Sequence, residues 1–293
     1  MPVSAGCNDR VAEYHASGPY LFGGKAQGTI EELTVPHGAQ TSCQMASGRK
    51  TADHDPGPVN APFFTVVPYE RHGTGQLHEG KGVASILDII RAKGDKAGLE
   101  ELVTEGSEGV LCAEAGGPTP GMGCAGRGII TAFEALEERH AFDIYRPDVV
   151  IYDVLGDVVC GGFAMPIREG YADKVFIVTS GENMAIYAAA NIACAVKAFE
   201  ARGYAGLGGL ILNRRGVKRE QEKAEELARD MGTDIIASLD FSPLVGEAEE
   251  LGKTVMEVFP DSDIAGEYKK LADAVLAVCR EEQVRKDNAK ESA

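Results

Sequence analysis

The sequence predicts an α/β fold, a mostly parallel sheet flanked by helices, with an aberrant amino-terminal part. Three observations carry this expectation. From about Lys81 onward, short apolar runs alternate with amphipathic stretches of roughly 10–20 residues, which is the pattern of βαβ units. The runs DVVIYD and KVFIVT are nearly continuous in apolar residues, as strands covered on both faces are. Glycine-rich or acidic loops follow directly after strands, where ligands bind in parallel sheets.

The elements follow in order. Ala84–Ala92 (ASILDIIRA) spaces its apolar residues as a helix does, and Gly109–Ala113 (GVLCA) reads as a short buried strand. Gly126–Arg139 is helical, and Asp148–Asp153 is an apolar strand ending in an acid. Lys174–Thr179 is a strand, followed by the Ala-rich helix Glu182–Arg202. Leu207–Asn213 is a strand, Lys218–Met231 a charged amphipathic helix, and Thr233–Leu239 a further strand. A last helix runs from about Ile264 to Arg285 and frays in the polar tail KDNAKESA. Functional residues are expected just after Ala113, Asp153, Thr179 and Asn213.

The first 80 residues differ. They hold five of the six histidines (His15, His37, His54, His72, His78) and 7 of the 13 prolines. Stretches such as His54-Asp-Pro-Gly-Pro break any helical or strand period, and only Pro62–Pro68 (PFFTVVP) is strand-like. The chain is therefore expected to divide into residues 1–80, a poorly structured or covering segment, and residues 81–293, an α/β domain. The histidines and Cys43 show no short zinc-ligand spacing.

Composition narrows the class. The chain has 293 residues, 44% hydrophobic and 25% charged, and no apolar run approaches the roughly 18–20 residues of a membrane span. Its formal charge of −16 argues against nucleic acid as the main partner. With no export signal in view, the seven cysteines point to a reducing, cytoplasmic setting where thiols act as ligands or core filler rather than disulfides.

Two loops carry chemistry. The first, Glu114-Ala-Gly-Gly-Pro-Thr-Pro-Gly-Met-Gly-Cys124-Ala-Gly-Arg127-Gly, follows a strand and opens a helix. Glycines on both sides of Cys124 let backbone N–H groups approach whatever the thiolate holds, and a helix N-terminus lowers a thiol pKa. The second, Asp153-Val-Leu-Gly156-Asp157-Val-Val-Cys160-Gly-Gly, places D-x-x-G after a strand. In phosphate sensors such an Asp holds Mg²⁺ or its water, and the Gly amide faces the γ-phosphate. Cys112, Cys194 and Cys279 fall within regular elements and are expected in the core. Cys124 and Cys160 lie in loops that need no packing filler. Two cysteines cannot complete the Cys₄ shell of an iron–sulfur cluster, but two copies of the chain on a two-fold axis can.

The motifs GGPTPGMGCAGRG and YDVLGDVVCGGFAMPIRE closely resemble those of the nitrogenase iron protein and its nitrogenase-like reductase relatives, over about Lys81 to Cys279. The resemblance implies a P-loop NTPase-like fold and a homodimer bridged by one [4Fe-4S] cluster. It also implies electron transfer, coupled to MgATP hydrolysis, from a donor such as ferredoxin or flavodoxin to a nitrogenase-like catalytic component. By match to the motifs, Cys124 and Cys160 are the cluster ligands. Asp153, Gly156 and Asp157 match the switch that senses the γ-phosphate, with Asp153 and Asp157 as its catalytic acids, and Asn213 matches an adenine contact. Arg127, Arg168 and Glu169 match the docking face, where some members ADP-ribosylate the arginine.

The departures are as informative. The pattern G-x-x-x-x-G-K-[ST] occurs nowhere complete; Gly24-Lys25 has neither its spacing nor its hydroxyl residue, and Gly80-Lys81, with Gly75 at the right spacing, is followed by Gly82 in place of the hydroxyl residue. Loss of the complete pattern removes the Mg²⁺ hydroxyl, so ATP coupling is expected to be crippled. His54-Asp-Pro-Gly is at best an echo of the family's second acidic switch, and Asp240-Phe241-Ser242 replaces its P-R-D. Residues 1–80 have two readings, a frameshifted or wrongly joined start, which the composition break favours, and a genuine chain without ATP coupling. Two rivals to the reductase reading remain: an inactive binding or regulatory protein of the same family, and a ParA/MinD-like ATPase, against which Cys124 and Cys160 argue.

Overall fold

The computed structural model describes residues 42–47, 63–67, 84–106, 109–116, 125–155, 167 and 171–291. At 42–47, 63–67, 125–127, 154–155 and 283–291 it describes the backbone. Eight strands form one sheet: β1 (Ser42–Ser47), β2 (Phe63–Val67), β3 (Thr104–Glu105), β4 (Leu111–Glu114), β5 (Val149–Leu155), β6 (Lys174–Thr179), β7 (Gly206–Asn213) and β8 (Ile235–Leu239). The helices among the described residues are α1 (Ile86–Lys93), α2 (Leu99–Leu102), α3 (Ala125–Glu138), α4 (Ala141–Tyr145), α5 (Asn183–Glu200), α6 (Glu220–Met231), α7 (Pro243–Glu250), α8 (Val255–Val258) and α9 (Asp263–Glu291).

The strand order is β3-β4-β2-β5-β1-β6-β7-β8. Pairings β2–β4, β2–β5, β6–β7 and β7–β8 are parallel, as expected. Strand β1 runs antiparallel to both β5 and β6, and the short β3 runs antiparallel to β4 at one edge. Sequence reasoning finds β2 but not β1, because SCQMAS contains no β-branched residue.

Alternation along the strands covers both faces of the sheet. Val175 and Ile177 of β6 and Leu210 of β7 join the main core with Phe133, Leu136, Ile192 and Leu227 from α3, α5 and α6. The intervening Phe176 and Ile211 point the other way, into a second cluster with Leu271, Val275 and Val278 of α9. A Cβ on Gly208 would stand 2.6 Å from the Phe176 ring, so the bare glycine leaves room for that ring. Helix α9 extends to Glu291, past the expected fraying point, and its Glu282 carboxylate pairs with the mostly buried Lys174 ammonium at 3.0 Å. That ion pair fastens the helix to the start of β6.

Candidate functional site

The parallel strands β2, β4, β5, β6, β7 and β8 all end at one edge of the sheet, at Val67, Glu114, Leu155, Thr179, Asn213 and Leu239. Both motif loops leave that edge. Strand β2 alone separates β4 from β5, so the two loops start about 10 Å apart, twice the strand spacing.

The first loop is held at both ends by α1. Leu87 N donates to Ala115 O at 3.2 Å. Gly116 has φ +80°, and a Cβ there would stand 2.4 Å from Ser85 Oγ. Ser85 is the N-cap of α1, accepting from Asp88 N at 3.2 Å. At the far end, a Cβ on Gly128 would stand 2.7 Å from Leu87 Cδ1 and 3.4 Å from Gly116 O. The chain thus departs from and returns to the same turn of α1. The helix that follows is tied to β5 by aromatic contacts: Phe133 lies 5.3 Å from the Tyr152 ring and 4.7 Å from that of Tyr171. One packing unit therefore supports the exits of both loops.

Asp153 is half-buried on β5 and lies opposite Gln44 of β1. It was expected as the last strand residue, but pairing of Val154 with Cys43 and of Leu155 with Ser42 carries the strand two residues further. Asn213 does end β7, half-buried beside Leu239. The next two residues, which sequence reasoning missed, build a basic corner there. Arg214 N donates to Leu239 O at 2.8 Å, its Nη2 donates to Gln221 Oε1 at 2.7 Å, and its Nε faces Asp240 Oδ1 at 3.5 Å as an ion pair without hydrogen-bond geometry. Arg215 lies over the exposed Phe241 ring at 5.6 Å, and Ser242 caps α7.

Cys124, Gly156, Asp157, Cys160, Arg168, Glu169 and the His54-Asp-Pro-Gly stretch lie outside the described residues, as does the side chain of Arg127. Cys112 is fully buried, as expected, and burial pushes its thiol up to about 11, so it stays protonated at neutral pH. Cys279 packs against the second core cluster, and burial, then the nearby Asp173 charge, raises its thiol to about 11. Cys194 packs against the main core, as expected, and is disulfide-bonded, which corrects the expectation of thiols rather than disulfides. Among the described residues no group of three or more His, Cys, Asp or Glu side chains is placed to hold a metal ion. Nor is any helix among them long and apolar enough to cross a membrane.

Sequence reasoning also passed over Gly252-Lys253-Thr254, which follows Gly246 with five intervening residues rather than four. It lies between α7 and α8, away from any strand end, and Thr254 Oγ1 accepts from Glu257 N at 3.3 Å as the α8 N-cap. It is a capping box and not a phosphate loop.

Fold and site edge together define a class, the α/β P-loop NTPase fold. Solved structures with this architecture include the septum site-determining protein MinD complexed with Mg-ADP from Pyrococcus horikoshii, at TM-score 0.55 and 17% identity over 74% of this chain and 84% of that one. A ParA family ATPase from Chlorobium tepidum aligns at TM-score 0.52 and 21% identity, over 74% and 85%. The sequence gives the family. The profile of the "4Fe-4S iron sulfur cluster binding proteins, NifH/frxC family" matches residues 70–290. The nitrogenase iron protein of Methanospirillum hungatei is 45% identical over 210 residues, 71% of this chain and 74% of that protein. Nitrogenase iron protein 2 of Methanothermococcus thermolithotrophicus is 44% identical over 214 residues, 69% and 73%. The chain belongs to this family, and the match begins upstream of Lys81.

Proposed function

We propose that this chain is the reductase component of a nitrogenase-like system. Two copies would hold one [4Fe-4S] cluster between them through Cys124 and Cys160 of each, and the dimer would deliver single electrons to a partner catalytic component. The observation that carries this reading is the exit of both cysteine loops from one sheet edge, with only β2 between their strands. Fit rests on the donor chemistry: two thiols per chain in glycine-flanked loops, with four needed. The glycine contacts of Gly116 and Gly128 with α1 set where the first loop starts and ends. The cluster, when bound, stores one low-potential electron. Arg127, Arg168 and Glu169 would present the docking face to the partner, and ferredoxin or flavodoxin would recharge the protein.

Nucleotide fits less well. Asp153, Gly156 and Asp157 would meet a γ-phosphate, and Asn213 would meet an adenine, but G-x-x-x-x-G-K-[ST] is incomplete: Gly75-x-x-x-x-Gly80-Lys81 is followed by Gly82, so the hydroxyl that would hold Mg²⁺ is missing. This absence also favours a second reading, a family member that keeps the dimer and docking face without ATP-driven turnover.

Anaerobic reconstitution tests the main reading. The protein should take up about four irons per dimer. Cys124→Ala or Cys160→Ala should abolish uptake, and Cys112→Ala should leave it intact. Full clusters in both loop variants would overturn the assignment.

A further inference from the structure

The ends of β7 and β8 build a corner whose most exposed ring the proposed electron transfer leaves unused. Asn213 lies opposite Leu239, and Arg214 N donates to Leu239 O at 2.8 Å, so the pairing continues one residue past β7. The two chains then leave the sheet side by side, Arg214 and Arg215 after β7, Asp240 and Phe241 after β8.

Each wall of the corner is fixed by its own hydrogen bonds. After β7, Glu220 Oε2 in the first turn of α6 accepts from Arg215 N at 3.0 Å and from Val217 N at 3.1 Å. The Arg214 guanidinium is held by Gln221 and faces Asp240. After β8, Asp240 N donates to Glu267 Oε2 of α9 at 2.7 Å, and Ser242 Oγ accepts from Leu244 N at 3.3 Å as the α7 N-cap. Phe241 stands between these two anchored residues, so its backbone has little freedom, yet the residue is 64% exposed. Arg215 covers one face of the ring, with Cζ 5.6 Å from the centroid. With so much of the residue open, the opposite face looks to solvent.

A flat apolar face, held in place at the carboxyl edge of a parallel sheet, suits the stacking of a planar ring. Asn213, at the end of the adjoining strand, brings an amide with both donors and an acceptor, the groups that read the polar edge of a base. A purine offers two fused rings to such a stack and a pyrimidine one, so a purine gains more.

We propose that Phe241 is the stacking platform for a purine nucleobase, with Arg215 backing the ring and Asn213 at the base's polar edge. The proposal rests on the reading that Asn213 meets an adenine, and it adds a positioning residue that the P-R-D of the family does not contain. The chain has no tryptophan, so Phe241→Trp puts a single reporter on the platform. In the full chain ADP should quench that fluorescence on binding, and pyrophosphate, which has no ring, should not. UDP should bind several-fold more weakly than ADP. Phe241→Ala should lower ADP affinity by about 5- to 100-fold. It should leave the thermal midpoint of the ligand-free protein within about 3 °C, because the ring is exposed. Unchanged ADP affinity in Phe241→Ala, ADP binding without quenching in Phe241→Trp, equal quenching by pyrophosphate, or UDP binding as tight as ADP would each overturn the proposal. Failure of the unsubstituted chain to bind ADP would overturn it together with the adenine role of Asn213. Iron uptake enters none of these readouts, so loss of the cluster assignment would leave the proposal standing.

Discussion

The two halves of the sheet on either side of β1 are built by different rules. On one side, β6, α5, β7, α6 and β8 follow each other in sequence and lie next to each other in space. Their packing is local and apolar, with Ile177, Ile192, Leu210 and Leu227 all buried. On the other side, β2 from far upstream is inserted between β4 and β5, and α1 packs on both ends of the first cysteine loop. The first half is a scaffold assembled from consecutive units. The second depends on distant segments arriving in register, and its strands β4 and β5 lead into the two motif loops. The strands that precede the proposed cluster ligands thus belong to the half whose assembly is least local.

This contrast can be broken from either side. The largest effect is expected in the scaffold: Phe176→Ala empties a ring-sized space against Gly208, Ile211 and α9, and should cost about 3–5 kcal/mol in chemical denaturation. Iron uptake per folded chain should not change, because that cluster is built on β6, β7, β8 and α9 and not on β4 or β5, which lead into the motif loops; a parallel loss of iron in folded protein would show the halves to be coupled. In the site half, Gly116→Ala should cost about 1–3 kcal/mol, since the new Cβ meets Ser85 Oγ and the residue sits at positive φ. Here iron uptake should fall out of proportion to stability, and an unchanged iron content would mean that the α1 clamp does not position the loop.

A smaller effect separates Cys112 from the proposed ligands. Below pH 9 its thiol is protonated in folded and unfolded chains alike. Between pH 9 and about 11 the unfolded chain loses that proton first, so the folded state binds more protons and stability falls as pH rises. Cys112→Val should flatten the fall in urea midpoint over this interval, and an equally steep fall would assign the effect elsewhere. Least of all, Thr254→Ala should cost about 1 kcal/mol through loss of the α8 cap, with no change in nucleotide affinity. Weakened nucleotide binding in that variant would show that Gly252-Lys253-Thr254 has a role beyond capping.

Much of the scaffold was legible in the amino-acid order because its signals are local. Lys174–Thr179 was read with the bounds it has in the structure, and the β7, α6 and β8 expectations differ from the structure by one or two residues at one end. Apolar runs, helical spacing and the change between them are written within a window of a dozen residues. The family, too, was legible, since two long glycine-cysteine motifs identify it without any coordinates. Arg214 and Arg215 escaped notice because their meaning depends on Asp240, Gln221 and Phe241, which come from other elements.

What the sequence determined by itself, then, was the type of most elements from Lys81 onward and the presence of the two cysteine motifs. The tertiary structure decided which strands are neighbours and in which direction they run. Ser42–Ser47 has no β-branched residue to announce a strand, and nothing local states that it lies antiparallel between β5 and β6. The physical reason is that a strand satisfies its backbone groups only through partners, here more than a hundred residues away, so its place and direction belong to the pairing and not to the segment.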